Sequence, residues 1–458
     1  MSGCGGNDND ASQPPRPPAL DPISTAPPEV FDDDALPDSP VVTPNTTGYE
    51  DEFPYRIIGA LYPFENENIK GWWTNVSPTL AIFMDVARYS IHRQYSYMRF
   101  FRDHVYPALG VPPHGDRPMY WKSILTPRFI PASLALRRQG DDAAIQFSYE
   151  PVGPKAGTAA DPYNRSAIST ALDLLAEGGV WFNRDRYQYF THHLTLSDDE
   201  VRSLGNTLPP HYQLSQSILT LGLQKNGGET SVECFLSPFL KSVATGLPAS
   251  ELIFDTIRRA DTREPLESAL SVVVEYWRRC NNSGTKEAYL LGWNMVEPTG
   301  ASVKIYLAEW DVRYERVREF LTLGRAYPST DGPTMTSTVD TLLLWQLFAI
   351  REGNRRGLAR VLPTMPGSPL LFCFELVPDE PDPKLTVYLP VDGIDGIEVA
   401  YNMEMAYHMF DCTNLKRPFG HCLERAFHQD MHTWISYAFH PEKGPILSTL
   451  LQPMRNYP

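Results

Sequence analysis

The sequence lacks a long hydrophobic run, an export signal and a close pair of cysteines. Its longest strongly apolar stretch, residues 342–350, is interrupted by Gln346 and falls far short of the roughly 20 residues that a membrane-spanning helix needs. The N-terminus shows no cationic start followed by an apolar stretch, so we expect a cytoplasmic protein without a membrane anchor. The six cysteines form no CxxC pair, which argues against a disulfide framework or a zinc site.

Positive charge is also scarce. The chain has 40 lysines and arginines against 55 aspartates and glutamates, and its formal net charge at pH 7 is -15. This excess of negative charge repels polyanions, so we expect no nucleic-acid partner and no anionic membrane partner. Apolar material, by contrast, is plentiful: of the 458 residues, 42% are hydrophobic and 12% are aromatic, which is sufficient for a packed core.

The composition changes near residue 50. Residues 1–50 are rich in Pro, Asp, Ser and Gly and contain almost no aromatic residue, so they cannot bury enough surface to offset the entropy of ordering. We predict a disordered tail there. Aromatic residues recur throughout residues 51–458 without a long linker, which predicts a single folded domain.

Three segments carry helix signals. Ser77 and Pro78 form an N-cap and first-turn pair, which predicts that a helix starts at this point. Residues 197–200 (SDDE) predict a capping box. Residues 266–279 (LESALSVVVEYWRR) predict an amphipathic helix with cations in its last turn, where they complement the helix dipole. We interpret all three as scaffold.

Five short segments alternate between apolar and polar residues with a period of two, which predicts β-strands. They are residues 144–150 (AIQFSYE), 231–236 (SVECFL), 302–307 (SVKIYL), 385–390 (LTVYLP) and 433–440 (TWISYAFH). In a two-layer sheet the polar sides would face water, whereas in a barrel surrounded by helices they would line an enclosed lumen. The alternation alone leaves both arrangements open.

About a dozen ordered blocks after residue 50 carry a family resemblance. They include WKSILTP, FSYEPVG, DPYNRSAI, EPTGASVKIYLAEW, VYLPV and WISYAFHPEKGPILSTLLQP. In this order they resemble the dimethylallyltryptophan synthase (DMATS) family of fungal aromatic prenyltransferases. The resemblance implies an α+β fold, the ABBA barrel, in which about ten antiparallel strands close around a central lumen with helices outside.

The resemblance also implies an enzyme of secondary metabolism. The family transfers a dimethylallyl or longer prenyl group from its diphosphate to an indole, phenol or polyketide ring, and it needs no metal or other cofactor. Arg and Lys hold the diphosphate, while tyrosine and tryptophan faces stabilise the allyl cation. We therefore expect a small-molecule aromatic or terpenoid substrate, dimethylallyl diphosphate as a candidate donor, and a monomer or homodimer.

Several positions that bind diphosphate in the family are substituted here. Gln146 stands where the family has Arg, Glu233 where it has Lys, and Ser302 where it has another Arg. Lys304 and Tyr306 keep the family's residue types. A carboxylate in place of a lysine would repel phosphate by on the order of several kcal/mol in a low-dielectric lumen. Glu233 and Lys304 could instead neutralise each other and leave little attraction for a diphosphate.

Other family positions have changed as well. Ser133 stands where the family has its catalytic Glu, and Trp434 where it has a tyrosine. Thr386 replaces a Gln or Lys, Tyr388 is kept, and His440 falls close to a family Arg. The predicted catalytic residues are Glu233, His440 and Ser133; the predicted substrate-binding residues are Gln146, Ser148, Lys304, Tyr306, Thr386, Tyr388 and Trp434; no metal ligand is predicted.

Two alternatives remain open. In the first, the barrel is a diphosphate-independent cyclase or isomerase, in which Glu233 or His440 protonates an already prenylated or terpenoid intermediate and Glu150 also faces the lumen. In the second, it is a non-catalytic barrel that binds a hydrophobic ligand. Arg137 or Arg138 is a further candidate for diphosphate binding at the barrel mouth, although a solvated strand end is the other interpretation of each.

Overall fold

The fold is described for most of the chain after residue 52. The computed structural model describes residues 53–113, 119–205, 208, 214–226, 228–260, 265–281, 284–295, 302–325, 332–356, 367–413 and 431–453. The predicted tail, residues 1–50, lies outside the described residues. The cysteines within them are buried free thiols: Cys234, Cys280, Cys373 and Cys412.

The strands form one closed barrel and one small ladder. In chain order they are β1 (Ala132–Gln139), β2 (Asp142–Tyr149), β3 (Ser217–Leu223), β4 (Ser231–Leu236), β5 (Lys286–Asn294), β6 (Val303–Glu309), β7 (Asp311–Val312), β8 (Gly353–Asn354), β9 (Leu370–Leu376), β10 (Lys384–Pro390), β11 (His432–His440) and β12 (Gly444–Leu451). Ten strands close into an antiparallel barrel in the order β1-β12-β11-β10-β9-β6-β5-β4-β3-β2, and β7 pairs with β8. This confirms the α+β barrel that the resemblance implied, and the five predicted strand segments coincide with β2, β4, β6, β10 and β11.

Helices surround the barrel. They are α1 (Pro54–Leu61), α2 (Glu67–Val86), α3 (Ile91–Phe100), α4 (Ala167–Glu177), α5 (Arg184–Leu194), α6 (Asp198–Leu204), α7 (Phe239–Thr245), α8 (Ala249–Ala260), α9 (Glu267–Cys280), α10 (Tyr314–Leu321), α11 (Gly332–Leu347) and α12 (Gly396–Met409). The predicted capping box between Ser197 and Glu200 is present at the start of α6. The predicted helix at residues 266–279 corresponds to α9.

The predicted helix start at Ser77 and Pro78 is wrong. Both residues lie inside α2, and Pro78 is tolerated in the helix interior. The N-cap is Asn66, whose side chain accepts a hydrogen bond from the backbone N–H of Ile69 at 3.0 Å. The buried face also extends upstream through Trp72, so the apolar periodicity begins before the Ser–Pro pair that suggested a boundary.

The two faces of each barrel strand have different surroundings. On β2, Ile145 and Phe147 are fully buried, whereas Gln146 and Ser148 are half-buried and line the lumen. Phe147 packs outward, edge-on against Phe101, with 4.8 Å between the ring centroids. The period-two pattern is therefore that of a barrel, with apolar side chains toward the helices and polar side chains toward the lumen.

The strands are connected differently at the two ends of the barrel. At one end, short connections join β1 to β2, β3 to β4, β5 to β6, β9 to β10 and β11 to β12. At the opposite end, the chain enters and leaves the barrel through the helices. We call these the hairpin end and the helix end, because the two differ in chemistry as well as in topology.

Candidate active site

The barrel encloses a cavity of about 480 Å³, a size typical of small-molecule sites. Side chains from all ten barrel strands line it. All of the predicted catalytic and substrate-binding residues lie in its lining: Ser133, Gln146, Ser148, Glu233, Lys304, Tyr306, Thr386, Tyr388, Trp434 and His440. The structure therefore brings these residues into one chamber, while the role of each stays a prediction.

Charged lining residues are concentrated at one end of the barrel axis, whereas apolar residues line the cavity at both ends. Charged and titratable side chains lie toward the hairpin end: Arg137, Glu233, Lys304, Glu375, Lys384 and His440. Apolar and aromatic side chains lie toward the helix end: Ile124, Leu125, Phe235, Tyr289, Leu371 and Trp434. A ligand with an anionic head and a hydrocarbon tail therefore fits this lumen in one orientation, with its head at the hairpin end.

An ion pair occupies one side of the polar half. Lys304 Nζ lies 2.7 Å from Glu233 Oε1, and the two side chains are only 19% and 17% exposed. Burial opposes the lysine charge, yet the negative charges of Glu233 and Glu375 raise the pKa of Lys304 above its ordinary value. Ser302 Oγ donates to Glu375 Oε1 at 2.9 Å. We call these four residues the paired wall, because their charges and hydrogen bonds are largely satisfied internally.

Three aromatic rings form a continuous surface next to the paired wall. Phe235 and Tyr306 meet edge-on with centroids 5.7 Å apart, and Tyr306 and Tyr388 are tilted with centroids 5.9 Å apart. The two tyrosine hydroxyls lie 3.4 Å from each other. Burial raises the pKa of both phenols, so they are neutral and their π faces remain available to attract a cation.

Gly292 makes this aromatic surface possible. It lies on β5 opposite both Phe235 on β4 and Lys304 on β6. A Cβ atom at this position would come within 2.4 Å of Phe235 Cδ1, which is closer than a side chain can approach without displacing the ring. The absence of a side chain therefore lets Phe235 lie across the strand and reach Tyr306.

Trp434 closes part of the apolar half. It packs in a cluster with Ala308 and Leu371, and its Nε1 donates to the carbonyl of Pro369 at 3.0 Å. This hydrogen bond satisfies the indole N–H and fixes the ring plane. A tyrosine would be smaller, so this tryptophan shortens the apolar half of the cavity.

Hydroxyl and carboxyl side chains form a row across four neighbouring strands. Ser133, Ser148, Thr220 and Glu233 occupy matching register positions on β1, β2, β3 and β4. Ser148 Oγ and Thr220 Oγ1 are 2.7 Å apart, and Ser133 Oγ donates to the carbonyl of Leu451 at 3.3 Å. Ser133 therefore cannot accept a proton as a carboxylate would, and Glu233 is the carboxylate at the end of this row.

One ring nitrogen of His440 is hydrogen-bonded to the backbone at the rim of the barrel. Its Nδ1 accepts from the backbone N–H groups of Glu442 and Lys443 at 3.2 and 3.3 Å. A neutral imidazole that accepts at Nδ1 carries its proton on Nε2. His440 therefore caps the hairpin between β11 and β12 and has an Nε2–H available as a donor.

The interpretation of Glu150 as a lumen carboxylate is wrong. Glu150 follows the last residue of β2 and is buried away from the cavity lining, with its oxygens accepting from Trp121 Nε1 at 2.8 Å and Ser215 Oγ at 2.7 Å. Burial raises its pKa to about 7 despite these hydrogen bonds. Ser215 Oγ also accepts from the Ile124 backbone N–H at 3.1 Å, so Glu150 anchors the segment that covers the helix end.

Sequence reasoning missed Glu375 and Cys373 in the lumen. Both lie on β9, where residues 370–376 (LLFCFEL) form a nearly continuous apolar run without a clear alternation. Glu375 is the sole charged residue of that run, which was the available signal. Cys373 is a buried thiol whose burial raises its pKa to about 12, so it is protonated and unreactive at neutral pH.

The described residues contain neither a candidate metal centre nor a candidate membrane-spanning helix. Among them, no three His, Cys, Asp or Glu side chains are grouped so that they could hold a metal ion. No helix in the described ranges is both long and apolar enough to cross a membrane.

Comparison with known proteins identifies relatives along most of the chain. The family model described as tryptophan dimethylallyltransferase matches residues 68–419. A reverse prenyltransferase of Aspergillus cristatus is 27% identical over 410 residues, which cover 86% of this chain and 93% of that protein. Tryptophan dimethylallyltransferase 1 of Claviceps purpurea is 28% identical over 417 residues, covering 87% of this chain and 91% of that protein. The crystal structure of NotF in complex with brevianamide F and DMSPP superposes with a TM-score of 0.75 at 22% identity, covering 89% of this chain and 100% of NotF, and shows the same fold.

Proposed function

Because the chain belongs to the tryptophan dimethylallyltransferase family, we propose that it transfers a dimethylallyl or longer prenyl group from its diphosphate to an aromatic acceptor in secondary metabolism. One observation carries the proposal: a single cavity of about 480 Å³ joins a polar hairpin end to an aromatic helix end. An isoprenoid diphosphate has the same division into an anionic head and an apolar tail.

The lining residues support a dissociative transfer. The C–O bond to the diphosphate breaks, with both electrons leaving on the diphosphate oxygen, and the allyl cation is held against the faces of Tyr306 and Tyr388. The acceptor ring then forms a C–C bond to the cation and loses its proton to a base, for which Glu233 is our candidate. The covered helix end excludes water that would otherwise capture the cation.

The hydroxyl groups of Ser133, Ser148 and Thr220 indicate which class of acceptor the cavity would bind. Since Ser133 offers no carboxylate for an indole N–H, we propose an oxygenated ring, a phenol or polyketide, that hydrogen-bonds to Ser148 and Thr220. Cationic side chains neutralise the leaving group in this scheme, so we propose that the transfer requires no metal ion.

A diphosphate-independent cyclase is the second candidate, favoured by the 2.7 Å ion pair between Glu233 and Lys304. In this pair Glu233 neutralises the charge of Lys304, the lysine with which the family binds diphosphate. In that case Glu233 in its carboxylic acid form, or His440 as an imidazolium, would donate a proton to an alkene of a prenylated substrate, the ring would close on the resulting cation, and loss of a proton back to the same group would give the neutral product.

Two parallel assays separate the two functions. In the first, the full-length protein is incubated with dimethylallyl or geranyl diphosphate and a panel of indoles, phenols and polyketides in the presence of EDTA, and pyrophosphate release and prenylated products are measured. In the second, it is incubated with prenylated phenols and no diphosphate. Acceptor-dependent pyrophosphate release supports transfer. Turnover of a prenylated phenol without any diphosphate supports the cyclase, and the absence of prenylated product with every acceptor and donor overturns the transferase.

A further inference from the structure

Two adjacent arginines on β1 lie on opposite faces of the barrel wall. Arg138 is fully buried in the outer layer, where its Nη2 donates to the carbonyl of Cys412 at 2.6 Å and its guanidinium lies over the Tyr407 ring. Arg137 is exposed and lines the lumen at the hairpin end. Within the described residues, no hydrogen bond or ion pair engages the Arg137 guanidinium.

Arg137 has polar neighbours on the adjacent strands. Arg137 on β1 pairs in register with Ser448 on β12, and Ser448 pairs with Ser436 on β11. Directly opposite residues of antiparallel strands have Cα atoms about 4.5–5.5 Å apart, so the three side chains form a short row on the lumen face. Gln146 lies on β2, opposite Ala135 and therefore diagonal to Arg137.

These neighbours have unused hydrogen-bonding capacity. Ser436 and Ser448 are 5% and 7% exposed, and both line the lumen with Gln146. Their side chains have no hydrogen-bond partner in the part of the chain that the structure describes. We call Arg137, Gln146, Ser436 and Ser448 the open wall. Because these side chains line the cavity, their donor groups are accessible to a polar ligand in the lumen.

The paired wall would bind an anion much more weakly than the open wall. Lys304 is already bound to Glu233 at 2.7 Å and lies in the field of Glu375, so a phosphate placed there would meet two carboxylates. An anion at the open wall meets a planar guanidinium, which forms two parallel hydrogen bonds to phosphate oxygens, and neutral donors from two serines and an amide.

We propose that the open wall is the diphosphate subsite of this chain, with Arg137 as its principal ligand. This placement rests on the proposed transfer. Of the positions that the family resemblance implies, it keeps Gln146, and it adds Arg137, Ser436 and Ser448 in place of Lys304. The hydrocarbon tail then runs toward the helix end along β11, where Trp434 lies two residues from Ser436 on the same face.

Calorimetric titration of the full-length protein with inorganic pyrophosphate tests the subsite without requiring turnover. Arg137→Gln should weaken pyrophosphate binding about 10- to 100-fold, and Arg137→Lys, which keeps the charge, should recover about half of that loss on a logarithmic scale. Ser436→Ala and Ser448→Ala should each weaken it by roughly 3- to 10-fold. Lys304→Met should have a smaller effect than Arg137→Gln. Lys443→Gln, which removes an exposed charge from the neighbouring hairpin outside the cavity lining, is the matched control.

Three results would overturn the subsite: wild-type protein that does not bind pyrophosphate, Arg137→Gln that binds like wild type, or a larger loss in Lys304→Met than in Arg137→Gln. Failure of the proposed subsite can be distinguished from failure of the proposed function. If prenyl transfer proceeds and Arg137→Gln leaves the KM for the donor unchanged, the proposed function is supported and the proposed subsite is refuted. If pyrophosphate binds through Arg137 but no acceptor is prenylated, the subsite is supported and the proposed function is refuted.

Discussion

Two glutamates at opposite ends of the barrel have different environments. Glu150, at the helix end, is fully buried among neutral donors from Trp121 and Ser215, and burial raises its pKa to about 7. Glu233, toward the hairpin end, is partly exposed to the lumen and forms an ion pair with Lys304 at 2.7 Å. Glu150 holds the segment that covers the helix end in place, and Glu233 contributes negative charge to the electrostatic potential at the polar end of the lumen.

The comparison shows that residue type alone does not assign a role. Both glutamates lie on or beside a strand with alternating polarity, and both are acidic groups near an aromatic cavity. Their neighbours decide the difference: donors without charge favour anchoring, whereas a cation facing the lumen favours electrostatic control of binding. The helix end is therefore closed by packing, and the chemistry is concentrated toward the hairpin end.

The largest expected effect concerns the anchor at the helix end. Because the pKa of Glu150 is about 7 in the folded protein and 4.5 when unperturbed, its stabilising contribution is complete below about pH 4.5 and is lost as pH rises through 7. The loss amounts to at most about 3 kcal/mol in the free energy of unfolding. Urea unfolding of wild type and Glu150→Gln between about pH 5 and pH 8 measures it. Glu150→Gln should show a flatter pH dependence, and equal slopes would refute the assignment.

Charge reversal at the hairpin end should produce the next largest change. Glu233→Lys removes the partner of Lys304 and adds a second cation, so pyrophosphate affinity should rise by about 10- to 100-fold. Glu233→Gln is the matched control: it frees Lys304 without adding charge and should give a smaller gain. Calorimetry with inorganic pyrophosphate measures both. An unchanged affinity in Glu233→Lys would show that the paired wall does not face the anion.

Removing the cation of the same pair should lower stability modestly. Lys304→Met leaves Glu233 and Glu375 without a compensating charge and should reduce the free energy of unfolding by about 1–2 kcal/mol, since both members of the pair are partly exposed. The double variant Glu233→Gln with Lys304→Met should recover most of that loss, as a double-mutant cycle by urea unfolding would measure. Strictly additive losses would mean that the two side chains do not interact.

The smallest expected effect lies between the two ends. Gly292→Ala pushes Phe235 away from Tyr306 and should lower kcat by roughly 3- to 10-fold with little change in the KM for the donor, because the cation-binding surface is disturbed and the polar end is not. Adding Phe235→Leu makes room for the new methyl group and should restore part of kcat. Steady-state kinetics measures this, and a change confined to KM would contradict the role given to Gly292.

The fold was predictable from the sequence to a greater extent than the arrangement of charges. Period-two alternation located β2, β4, β6, β10 and β11, and the ordered blocks implied their closure into a barrel. Closure explains why residues distant in sequence, such as Ser133 and Trp434, line one chamber. The Ser77–Pro78 signal failed because a local pattern cannot exclude a stronger cap upstream at Asn66.

Pairing within the lumen was only partly predictable. The ion pair between Glu233 and Lys304 was one of two interpretations that the sequence allowed, and the structure shows it. Arg137 has the same parity as Ser133, so the period-two rule would have separated it from Arg138 if residues 132–139 had been predicted as a strand. Glu375 was hidden in an apolar run whose alternation becomes visible only in the closed barrel.

The most direct test of the account is a crystal structure of the full-length protein with the thiolodiphosphate analogue of dimethylallyl diphosphate. We expect the diphosphate at the hairpin end within hydrogen-bonding distance of Arg137, the dimethylallyl group against Tyr306, Tyr388 and Trp434, and an intact pair between Glu233 and Lys304. An analogue bound outside the barrel, or a lumen that remains empty at saturating analogue, would contradict it.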